Sequence, residues 1–97
     1  MCFEWDRAKS RINQTKHGGL DFEAAARVFD DPTMVVVKDR IVEGEQRWQA
    51  IGAVSEAVLI VAHTYREDEN GEEIIRIISA REANQHERRI YIQQAAQ

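Results

Sequence analysis

Asn70-Gly71 stands between two strand-like stretches, Val58 to Tyr65 and Glu73 to Ser79. Asn-Gly is the strongest short-range signal for a tight turn, because both residues tolerate the left-handed backbone that a two-residue hairpin requires. The run from Val58 is apolar almost throughout, as suits a strand in the middle of a sheet. The pair predicts an antiparallel hairpin against which the remaining segments must pack. A two-residue turn sets Tyr65 opposite Arg76 and His63 opposite Ile78, so that His63, Tyr65 and Arg76 share one side of the sheet. A longer or bulged loop shifts the pairing by one and flips the sides.

The N-terminal part reads as a strand and two helices. Phe3-Glu4-Trp5 alternates apolar and polar. Asp6 is an N-cap for a helix over about 7–16, which His17-Gly18-Gly19 ends. Asp21 caps a second helix over about 22–29, whose Phe22, Ala25, Ala26 and Phe29 recur at helical spacing, and Asp30-Asp31-Pro32 stops it. Met34 to Val37 and Arg47 to Ile51 read as strands, with a polar loop from Asp39 to Gln46 between them. A closing helix starts after Ser79 or after Asn84; each has a glutamate three residues on, the spacing of a capping box. The pattern is α+β: a small antiparallel sheet with two N-terminal helices and one C-terminal helix, in a single domain over 1–97.

A chain of 97 residues with one cysteine forms no internal disulfide. His17, His63 and His86 show no metal-ligand spacing, so no metal and no cofactor is expected. The charged start and the short apolar runs predict no leader and no membrane anchor, and a cytoplasmic location. The net charge of −4 disfavours a polyanionic partner at first sight. Its distribution is uneven, however. Five carboxylates crowd 67–75, whereas basic residues exceed acidic ones in 1–20 and 76–97. A cationic surface therefore exists if the two ends meet.

Arg76 lies within the last strand and Arg81 at its exit. An arginine in an apolar strand loses hydration and needs an anion, either a carboxylate of the same chain or a phosphate from outside.

Several segments match a known family in order: Phe3-Glu4-Trp5-Asp6, Lys16-His17-Gly18, Phe22-Glu23-Ala24-Ala25, Asp31-Pro32, Glu43-Gly44-Glu45 with Arg47, His63-Thr64 with Arg66, Arg76 to Arg81, and Glu87-Arg88 with Tyr91. The chain resembles the BrnT toxins of bacterial type II toxin–antitoxin systems. It departs from their pattern at Ile41-Val42, where relatives often carry a histidine. The resemblance implies a RelE-like fold and a metal-independent endoribonuclease that inhibits translation. It also implies a BrnA-like antitoxin of ribbon-helix-helix type, through which alone operator DNA would be bound.

Metal-free RNA cleavage needs a base for the 2′-hydroxyl proton, cations for the phosphate and an acid for the leaving oxygen. Arg66, Arg76 and Arg81 are candidates for the phosphate, because the guanidinium fork binds two oxygens at once. His63, Tyr65 and His17 are candidates for proton transfer, unranked. Lys9 and Lys16, two helical turns apart, and Arg47 are candidates for contacts along an RNA backbone. The alternative is a non-catalytic protein-interaction module of the same fold, with the arginines paired internally.

Overall fold

The computed structural model describes residues 1–96. The elements run β1 (Cys2–Glu4), α1 (Arg7–Lys16), α2 (Phe22–Ala26) continued by a 3₁₀ turn (Arg27–Asp30), β2 (Val35–Val42), β3 (Glu45–Val54), β4 (Ala57–Glu67), β5 (Glu73–Glu82) and α3 (Gln85–Ala95). One five-stranded sheet has the order β1-β5-β4-β3-β2. The class is α+β as expected, but the sheet is larger than a small antiparallel one and is mixed. β2 to β5 form an antiparallel meander, while β1 lies parallel to β5. A three-residue strand carries no local signal for the direction of a partner some seventy residues away.

Asp6 caps α1 by accepting the N–H groups of Ala8 and Lys9, and Asp21 caps α2 through that of Ala24. The second helix is shorter than expected, since it tightens to 3₁₀ geometry at Arg27. The expected loop at Asp39–Gln46 is instead most of a hairpin. β2 and β3 turn at Glu43-Gly44, both with positive φ (51° and 79°), which lets two residues reverse the chain. The closing helix uses the later of its two possible starts. Asn84 and Glu87 form a full capping box, which leaves β5 free to extend to Glu82.

One face of the sheet carries the main core. Phe22, Ala25 and Val28 pack on Ala50, Leu59, Val61, Ile75, Ile77 and Ala80, with Phe3, Trp5, Leu20 and Phe29 around them. Burying each large apolar side chain contributes about 1.5–3 kcal/mol. Past the end of β1, the outer edge of β5 is open, and α1 closes it with Asn13. The Asn13 amide donates to the Ala80 carbonyl at 2.8 Å and accepts its N–H at 3.1 Å, so a buried side chain stands in for a neighbouring strand.

The β4–β5 register differs from the two-residue expectation. The connection is a five-residue loop, 68–72, organised by the Asp68 carboxylate, which accepts the N–H groups of Asn70 and Glu72. Tyr65 consequently pairs with Ile75, His63 with Ile77, and Arg76 with Thr64. His63 and Tyr65 therefore lie on the core side of the sheet, and Arg76 on the opposite side.

Candidate functional site

Arg76 and Arg81 are five residues apart, and in a regular strand they would point to opposite faces. They do not, because β5 is bulged. Ala62 pairs with Ser79 and His63 with Ile77, leaving Ile78 as the extra residue. Arg76 is opposite Thr64 and Arg81 opposite Ile60, positions four apart on β4 and so on one face. The two arginines are separated along the strand by ~13 Å. On β3, Arg47 shares this face with Gln49, which pairs with Ala62, and on β4 Arg66 shares it with Thr64. Four guanidinium-bearing positions thus fall on the sheet face turned away from the main core.

Their partners differ. Arg66 meets Glu4 of β1 at 3.2 and 3.3 Å, an exposed pair of small energetic consequence. Arg81 is gripped by both carboxylate oxygens of Glu87, at 2.7 and 2.8 Å. This hydrogen bond raises the Arg81 pKa and holds the Glu87 carboxyl below its ordinary value. Glu87 was legible as a capping residue; its hold on Arg81 was not. Arg76 is exposed and makes no ion pair or side-chain hydrogen bond among the described residues. Arg47 likewise has no carboxylate partner among them.

Through Glu87, α3 reaches Arg81, and it packs against β3. It therefore crosses one end of the arginine face, where Ile51 and Ile60 are buried. Tyr91 ties its later turns to Asp31, its hydroxyl donating to Oδ2 at 2.6 Å. The rest of the face stays open. A cleft of about 260 Å³ lies there, lined by Gln49, Ile60, Ala62, Ser79 and Arg81, with His17 at its margin. His17 is the residue that ends α1, its backbone N–H donating to the Asn13 carbonyl. The link between Asn13 and β5 brings the end of that helix to the cleft.

The other proton-transfer candidates sit elsewhere. His63 is 3% exposed, packed edge-on against Phe29 at 5.0 Å, with Nδ1 3.2 Å from the Val61 carbonyl. Burial lowers its pKa against the opposing pull of that carbonyl. The ring is a neutral core group, on the far side of the sheet from the arginines. Tyr65 is on the same side as His63; burial and then the Glu67 carboxylate, to which it donates at 3.2 Å, push its hydroxyl pKa up. Lys9 and Lys16 are exposed on α1, Lys16 directly before His17.

A larger cleft, about 670 Å³, lies beside β1 and α1. Its rim sets Glu4, Asp21 and Glu23 against Arg7 and Arg11, so it offers an anion no net attraction. Among the described residues no group of His, Cys, Asp and Glu is arranged to hold a metal ion, and no helix is long and apolar enough to cross a membrane.

Fold and surface together define a small α+β protein whose sheet face away from the core carries four arginines, two of them paired with carboxylates, beside a cleft. The chain belongs to the BrnT family, ribonuclease toxins of type II toxin–antitoxin systems, whose family model matches residues 5–87. Membership implies an RNA substrate and an antitoxin partner. A comparison with curated proteins gives no match.

Proposed function

We propose that this chain is a metal-independent endoribonuclease on a RelE-like scaffold. It stops translation by cutting RNA and is neutralised by a BrnA-like ribbon-helix-helix antitoxin. The observation that carries the reading is the bulge at Ile78, which turns Arg76 and Arg81 to one face beside Arg47 and Arg66. In the reaction the 2′-hydroxyl oxygen attacks the adjacent phosphorus and the bond to the 5′-oxygen breaks. A base removes the 2′ proton and an acid delivers one to the leaving oxygen. The products are a 2′,3′-cyclic phosphate and a 5′-hydroxyl.

Arg76, with no ion pair or side-chain hydrogen bond among the described residues, supplies the fork for the non-bridging oxygens as charge builds on them. Arg81 arrives pre-oriented by Glu87, and Arg66 and Arg47 attract the flanking backbone. His17 is the proton carrier best placed for this chemistry, because it borders the same cleft as Arg81, whereas His63 faces the core.

The pairing of Arg66 with Glu4 and of Arg81 with Glu87 favours the second reading, a binding module whose cations are already neutralised. One incubation separates the two. Purified protein is mixed with labelled RNA in EDTA, alongside RNA carrying 2′-deoxy sugars. Fragments ending in cyclic phosphate from the first RNA alone support the nuclease. Intact RNA in the presence of demonstrably folded protein leaves the binding module.

A further inference from the structure

The cleft on the arginine face is built from three neighbouring strands. Gln49, Ala62 and Ser79 form one row across β3, β4 and β5. The outer two are two strand spacings apart, about 10 Å. The central residue is only a methyl group, so the row is low in the middle. Gln49 and Ser79 line it from the two outer strands with the apolar Ala62 and Ile60 between them, and the volume of about 260 Å³ admits a flat heteroaromatic ring.

The chemistry of one wall is fixed. Gln49 Nε2 donates to Asp39 Oδ2 at 3.1 Å. The reverse orientation would set a carbonyl oxygen against a carboxylate, so Asp39 determines which way the amide points. The Gln49 side-chain oxygen is then the acceptor left over, with no hydrogen-bond partner among the described residues, and the carboxylate behind the amide polarises it further. The opposite wall, Ser79, is exposed, and its hydroxyl has no partner among them either.

We propose that this cleft reads one base of the bound RNA, the Gln49 side-chain oxygen accepting a hydrogen bond from an exocyclic amino group. Adenine and cytosine carry an amino group where uracil carries a carbonyl oxygen, which would face the acceptor and be repelled. Gln49 is thus a specificity-determining residue and Asp39 its positioning residue. The inference rests on the reading of the arginine face as the RNA site.

The test uses short 2′-O-methyl oligo(A), oligo(C) and oligo(U), which lack the attacking hydroxyl, with binding followed by fluorescence anisotropy. Oligo(A) and oligo(C) are expected to bind roughly tenfold more tightly than oligo(U). Gln49→Ala should bring them down to the oligo(U) level, and Asp39→Asn should narrow the gap by freeing the amide to turn over. Arg76→Ala should weaken all three oligomers alike. Equal affinity for the three oligomers, or a preference that persists in Gln49→Ala, overturns the base pocket. If that equal binding still depends on Arg76, the phosphate-binding face stands without the pocket. Absence of binding to any oligomer removes both.

Discussion

Glu87 grips Arg81 with both carboxylate oxygens while its Oε1 also accepts the backbone N–H of Asn84, 2.8 Å away. One side chain therefore starts α3 and aims the arginine. Glu87→Ala should lower stability by about 1–2 kcal/mol, read from the urea midpoint at neutral pH. The hydrogen bond from Arg81 holds the Glu87 pKa below its ordinary 4.5, so its contribution is complete above that value and is lost as pH falls through the folded pKa. The difference between wild type and variant should shrink on acidification; a difference independent of pH would mean that the pairing contributes nothing.

Asp31 provides the second tie. Burial pushes its pKa up, but the N–H of Ala53, the hydroxyl of Tyr91 and two groups of Thr33 outweigh that and hold it at about 2. Its ionised form therefore stabilises the fold above about 4, and this contribution is lost between that pH and about 2. Asp31→Asn should cost about 1–3 kcal/mol at pH 7 and far less near pH 2, measured by denaturant titration at both.

Gly52 of β3 lies directly against Val28 of the 3₁₀ turn. A methyl group there would lie 2.9 Å from Val28 Cγ1 and 3.2 Å from the Val28 carbonyl oxygen. Since backbone cannot yield as a flexible side chain does, Gly52→Ala should destabilise by about 1–3 kcal/mol, seen as a lower midpoint with unchanged slope in urea.

The two histidines separate by variant. His17→Ala should slow RNA cleavage by roughly 10²-fold or more with stability nearly intact. His63→Leu should reduce stability while the cleavage rate per folded molecule stays within about threefold. The opposite pattern would move the proton transfer to the core side of the sheet.

The helices were legible because their caps, Asp6, Asp21 and Asn84, are local signals. The strands of the meander were visible where they are apolar, whereas the polar end of β2 and the start of β3 read as a loop. What escaped depends on distant or single-residue effects. The Asp68 side chain lengthens the hairpin loop and moves Arg76 away from His63 and Tyr65. The bulge at Ile78 then restores Arg81 to the side of Arg76, and no periodicity announces an extra residue inside an apolar strand. The role of Asn13 in closing the edge of β5 had no local signal, since its partner Ala80 comes sixty-seven residues later. Gln49 was within reach: it shares strand parity with Arg47, already a candidate, but an uncharged amide gives no signal until Asp39 is seen to orient it.

The most direct test concerns Arg76, the guanidinium of β5 that makes no ion pair or side-chain hydrogen bond among the described residues. RNA cleavage in EDTA is compared for wild type, Arg76→Lys and Arg76→Ala, with the fold checked by circular dichroism and urea midpoint. Arg76→Ala should be slower by roughly 10²-fold, with Arg76→Lys in between, because a point charge replaces the two-pronged fork. Undiminished cleavage by folded Arg76→Ala would contradict the assignment of the arginine face as the site of phosphate chemistry.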